Sequence, residues 1–194
     1  MLGASDVIQA PLSRNELSQR YRELCDNPLF NNIPGKIEID IWGRWTWEIS
    51  LWRSRGELAL AEGKHDEAWT WATRSLEAAT KCRQRKHAAR ALRLQGGILA
   101  AQGRLDDAAR VLTASLDGAR ELGTTRESWI GHAALGDVFT RLGRDNDAEG
   151  QLTAAADAIE SIAAKLVTPH LRRSLLAAEP VARVFQTLGR RAPG

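Results

Sequence analysis

Three stretches decide the fold of this chain: RGELALAEGKHDEA (Arg55–Ala68), QGGILAAQGRLDDA (Gln95–Ala108) and LGDVFTRLGRDNDA (Leu135–Ala148). Aligned, they place Gly56, Gly96 and Gly136 at intervals of 40 residues. Gly63, Gly103 and Gly143 repeat at the same interval, and so do Ala68, Ala108 and Ala148. Three ladders in one register identify a repeat, and a period of this length belongs to stacked helical units. The first glycine of each set falls inside a helix, where it costs up to about 1 kcal/mol against alanine. That cost is acceptable if a second helix approaches closely, with the ladder alanine as the small residue facing back. The second glycine falls between the two helices, where a left-handed cap is needed. Acidic or amide pairs follow it (Asp66-Glu67, Asp106-Asp107, Asn146-Asp147) and suit the positive end of the next helix.

The chain has 194 residues, 43% hydrophobic and 26% charged, with a net charge of +3. That is an ordinary soluble composition, well short of the basic block of a dedicated nucleic-acid binder. Nucleic acid is therefore not the expected partner. Cys25 and Cys82 are isolated and are expected as reduced thiols. The start, MLGASDVIQAPL, lacks the features of a signal peptide, and no apolar run approaches the ~20 residues that span a bilayer. The expected location is cytoplasmic, with no membrane contact.

Ser13-Arg14-Asn15-Glu16 has capping-box spacing and predicts a helix through about Cys25. Residues 26–36 read as a loop. Ile41, Trp45, Ile49 and Trp52 lie at helical spacing, which predicts a helix starting between about 38 and 46. Three hairpins follow, pairing 46–62 with 65–81, 86–102 with 105–121, and 125–142 with 145–165. Thr168-Pro169 starts a closing helix that Pro180 should break or kink. The expected division is a lead-in and capping helix (1–45), three repeats (46–85, 86–125, 126–165) and a C-terminal capping helix with a frayed tail (166–194).

The ladder of small residue, seven-residue step to Gly and five-residue step to Ala resembles the tetratricopeptide repeat. Leu99 and Phe139 fill its large apolar position, with the small Ala59 in the first repeat. Ser75, Ser115 and Ala155 match the small position late in the second helix, while Thr80, Arg120 and Glu160 stand where a proline often closes the unit. The usual unit has 34 residues. The longer form is similar to the tails of large bacterial signalling ATPases, including those attached to nucleotide cyclases and MalT-like activators. The resemblance covers residues 40 to 185. It implies an all-α, right-handed superhelix of three hairpins with N- and C-terminal helical caps. It also implies a non-catalytic scaffold for proteins or peptides in regulation or assembly, the alternative being a ligand- or peptide-sensing regulatory module.

No catalytic signature is present. His65, His87, His132 and His170 are scattered and form no metal-ligand spacing. The expectation is no catalytic residue, no metal and no cofactor. In the repeat fold that the resemblance implies, the first helix of each hairpin lines a groove. The positions facing it include Arg53 and Glu57, Arg90 and Arg93, and Asp137. Lys86, Arg90 and Arg93 lie at i, i+4 and i+7 and form one basic ridge. Arginine forks bind carboxylates in bidentate fashion, so the expected ligand is an acidic peptide. The competing reading is a solvated face, with Arg90 or Arg93 paired to Glu57 or Asp137.

Six of the seven tryptophans fall in residues 42–71: Trp42, Trp45, Trp47, Trp52, Trp69 and Trp71. Trp69 and Trp71 cannot share one helix face, nor can Trp45 and Trp47. Trp42, Trp45, Trp47, Trp69 and Trp71 are candidates for an apolar interface, including a homo-oligomeric one. The alternative is that the 13–25 helix caps this edge.

Overall fold

The computed structural model describes the backbone of residues 36–190 and the side chains from Trp47 onward. The expected 13–25 helix, the 26–36 loop except its last residue, and the side chains of Trp42 and Trp45 lie outside the described residues. Contacts divide the chain after Arg44, and the repeats belong to the unit that begins at Trp45.

The described residues form helices and connecting turns, with no strand. The helices are α1 (Lys36–Ala61), α2 (His65–Lys81), α3 (Arg85–Ala101), α4 (Leu105–Glu121), α5 (Thr125–Arg141), α6 (Asp145–Lys165), α7 (Pro169–Ala177) and α8 (Glu179–Thr187). The helix expected to start between 38 and 46 begins slightly earlier, at Lys36. Pro180 acts as expected, because the backbone turns extended at Ala178 and α8 starts with the proline in its first turn. Each helix from α2 through α6 packs on its neighbour in sequence, and α2 is held to α1 by Ser75 and at Gly56, giving a stack of antiparallel hairpins.

The turns are built from one device. Gly103 N–H donates to the Ala100 carbonyl and Arg104 N–H to that of Leu99, the paired bonds of a Schellman cap. The same pair recurs at Gly63, Arg83, Gly123, Gly143 and Gly189, each with positive φ. From Gly63 to Gly143 these positions stand 20 residues apart, so the turn within a hairpin and the turn between hairpins are alike. Arg83 is the non-glycine member, at φ 53°. A side chain there costs about 1 kcal/mol, partly offset by the greater freedom of glycine in the unfolded chain. Arg83→Gly should therefore stabilise the fold by about 0.5 kcal/mol, read as a higher urea midpoint at unchanged slope.

Basic residues after the ladder glycines complete the caps. Arg104 Nε donates to Asp107 at 2.8 Å and Arg144 Nε to Asp147 at 2.7 Å, each acid lying in the first turn of the next helix. Lys64 instead pairs with Glu62 at 2.7 Å.

The small-residue ladder does what the sequence requires of it. A Cβ on Gly96 would stand 2.6 Å from Leu112 Cγ, and one on Gly136 would stand 2.8 Å from Leu152 Cγ. A Cβ on Gly56 would meet Leu94 Cδ2 at 2.8 Å and the Ala68 carbonyl at 3.3 Å. Ser75 Oγ donates to the Ile49 carbonyl at 3.0 Å and Ser115 Oγ to the Ala89 carbonyl at 2.7 Å, tying the second helix to the first in two hairpins. Ala155 has no hydroxyl to do this in the third. The core is a string of clusters along the stack, as in quasi-one-dimensional repeats. Leu99, Leu112, Leu116, Leu135 and Phe139 fill its middle.

Candidate functional site

The first helix of each hairpin, α1, α3 and α5, carries the expected groove residues. Five of the six come together. Arg53 and Glu57 form an ion pair one turn apart on α1. Lys86, Arg90 and Arg93 lie on α3, beside Arg53. Asp137, on α5, lies elsewhere, in a cavity further along the stack.

Two residues that sequence reading left out complete the cluster. Glu127, in the first turn of α5, is buried and accepts hydrogen bonds from Arg90 Nε at 2.8 Å and from Arg90 Nη2. Arg90 is thus paired, though not with Glu57 or Asp137. Burial acts against the charge of Glu127, but the hydrogen bond and charge of Arg90, with Arg93 and Lys86 adding to them, outweigh it. The carboxyl is held below its ordinary value. His87 is the other addition. Burial, then the charges of Arg90, Arg53 and Lys86, push its imidazole below the usual value. Its Nδ1 and the Nε of Arg53 are buried without a hydrogen-bond partner.

Arg93 differs from its neighbours. Burial lowers its guanidinium pKa, partly countered by Glu127 and Glu57. It makes no ion pair among the described residues. The cluster therefore sets four cations (Arg53, Lys86, Arg90, Arg93) against two carboxylates (Glu57, Glu127). Such a surface, with one arginine already desolvated and unpaired, can take up a further carboxylate at reduced desolvation cost.

Asp137 lines a cavity of about 380 Å³ bounded by α5, α6 and α8. Its floor is apolar, with Trp129, Ile130, Ala133, Leu152 and Val184, and its rim carries Arg126 and Arg183. The cavity walls desolvate Asp137 and raise its pKa, an effect that Arg183 and Arg141 only partly counter.

The tryptophans separate as helix geometry requires. Trp71 has two guanidinium groups near its ring, Arg55 at 4.7 Å and Arg74 at 5.9 Å from the ring centre, and its Nε1 donates to Glu67. Arg74 also covers Trp52, at 4.4 Å. Trp47 is 79% exposed and Trp69 37%. Trp47, Leu51 and Leu58 share one face of α1, the two leucines being 55% and 60% exposed. Forty and eighty residues later, the counterparts of Leu51 and Leu58 are Ala91 and Ile98, then Gly131 and Val138, and all four are buried.

Among the described residues no group of three His, Cys, Asp or Glu could hold a metal, and no helix is long and apolar enough to cross a membrane. No curated protein matches the chain. A family model described as tetratricopeptide repeat matches residues 47–121, which run from the middle of α1 to the end of α4. The third hairpin, beyond the matched segment, keeps the same ladder and the same caps. Residues 47–121 are thus similar in sequence to tetratricopeptide repeats, and the stacked helical hairpins are the form such repeats take.

Proposed function

We propose that the chain is a scaffold whose groove binds an acidic peptide segment of a partner protein at Arg53, Lys86 and Arg93. Repeats of this kind generally mediate protein–protein interaction. The observation that carries the finer reading is the charge imbalance around Arg93, a partly buried guanidinium with no ion-pair partner among the described residues. Arg90 supports the site by holding Glu127 rather than by contacting the ligand. The same reading assigns the chain a regulatory or assembly role in the cytoplasm, like the long-repeat tails of bacterial signalling proteins.

Binding of a fluorescein-labelled peptide carrying consecutive glutamates, followed by anisotropy, tests the groove. Arg93→Gln and Lys86→Gln should each weaken binding about tenfold, the size of one lost charge-assisted hydrogen bond. Added salt should weaken it further, because exposed charges are screened. Equal affinity in wild type and Arg93→Gln, with both proteins folded by circular dichroism, would rule out the groove.

A second reading concerns the exposed face of Trp47, Leu51 and Leu58. It is the surface that the preceding helix covers in the two later hairpins. We propose that it docks a second copy of the chain. Light scattering should then show a dimer in wild type and a monomer in Trp47→Glu/Leu51→Glu. A monomeric wild type would remove this reading.

A further inference from the structure

We infer that the cavity between α5, α6 and α8 is an anchor pocket for a large apolar side chain flanked by a carboxylate, carried on the acidic segment that the groove binds. The inference rests on the groove reading and extends it along the stack. The cavity volume, about 380 Å³, exceeds what one phenyl or isobutyl group needs. The floor of Trp129, Ile130, Ala133, Leu152 and Val184 offers such a group burial from water. The rim fixes the charge of what enters. Arg126 and Arg183 are exposed and form no ion pair among the described residues. Asp137 is the acid of the rim and is itself disfavoured as a carboxylate. Two cations against one weakened anion favour a carboxylate beside the apolar group.

The pocket is joined to the basic cluster through α5. Glu127, which holds Arg90, directly follows the cavity residue Arg126 on the same helix, and one, two and three turns later Ile130, Ala133 and Asp137 line the cavity. Packed helices such as α3 and α5 stand roughly 8–10 Å apart. An extended peptide covers that distance in about three residues at ~3.3 Å each. The ligand is therefore a motif in which an acidic pair and an apolar-acidic pair stand about three residues apart.

Peptides with a Glu-Glu pair, a Gly/Ser spacer of zero to six residues, and either Phe-Glu or Ala-Glu test this at constant charge. The Phe peptide should bind about tenfold tighter than the Ala peptide at a spacer near three residues, and less so at zero or six. Thr187→Leu on the exposed side of α8, or Ala133→Leu on the floor, should abolish that gain and leave the Ala peptide unaffected. A Phe gain that is absent at every spacer, or that survives both substitutions, overturns the pocket. Failure of the Ala peptide to bind overturns the groove reading instead, and is read separately from the Phe gain.

Discussion

Leu112→Ala is expected to cost about 3–5 kcal/mol, because the side chain is 1% exposed at the centre of the middle cluster and its loss leaves a cavity. Gly96 gives this prediction a sharper form. In the native protein a Cβ at Gly96 would stand 2.6 Å from Leu112 Cγ and 2.7 Å from its Cδ2. Overpacking of that kind costs roughly 1–3 kcal/mol, more than the ~1 kcal/mol that alanine gains over glycine in a helix. Gly96→Ala should therefore destabilise the native protein by about 1 kcal/mol. In the Leu112→Ala background the opposing atoms are gone, so the same substitution should become stabilising. Urea unfolding of the four proteins closes the double-mutant cycle. A Gly96→Ala effect of the same sign in both backgrounds would show that Leu112 is not what requires the glycine.

Glu127→Gln is expected to cost about 2 kcal/mol at neutral pH. Removing one partner of a buried ion pair leaves the other uncompensated, but Arg90 retains one-fifth of its side-chain exposure, so the loss falls below that of a fully buried pair. The acid dependence carries a sign. The folded protein holds the Glu127 carboxyl below its ordinary value of 4.5. Its contribution is therefore fully present above that value and is lost as pH falls through the lowered folded one. Asp137 acts in the opposite direction. Its pKa is raised in the fold, so its ionisation opposes folding above its ordinary value of 3.8, and falling pH relieves that cost. Stability of wild type and Glu127→Gln should converge as pH drops below about 4.5, and a constant difference down to pH 3 would separate Glu127 from the acid response. Because Arg90 loses its partner in the variant, binding of the acidic peptide should also strengthen.

Much of this arrangement is legible in the chain itself. Helix bounds followed from the 40-residue register, and the observed α2, α4 and α6 match the expected second helices residue for residue or within one. The ladder glycines announced both the close helix contacts and the left-handed caps. One contact of that type was not legible from the ladder. Gly131 faces Leu116, which a Cβ would meet at 2.6 Å. Its forty-residue counterparts are Ala91 and Leu51, a series that shrinks from one hairpin to the next and so breaks the pattern that marks a ladder.

The site was less legible than the scaffold. The basic ridge on α3 follows from i, i+4, i+7 spacing alone, but its counter-charge does not. Glu127 stands 37 residues after Arg90, and only the stacking of α3 beside α5 joins them. Asp137 occupied an equivalent register position, yet the return of α8 against α5 places it elsewhere, on the rim of a cavity with an apolar floor. The tryptophans divide in the same way. Spacing required Trp69 and Trp71 to diverge, while the cover of Arg55 over Trp71, unlike that of Arg74 one turn along the same helix, depends on the packing of α1 against α2.

By itself the sequence determined the helices, their caps and the positions where backbones must approach, because these rest on local periodicity and on the φ angles that glycine permits. Only the tertiary structure decided which charges are neutralised, which aromatic faces stay open and where a cavity forms. Those outcomes depend on side chains brought together from helices dozens of residues apart, and a repeat register fixes the spacing of such helices without fixing what each hairpin presents across the gap.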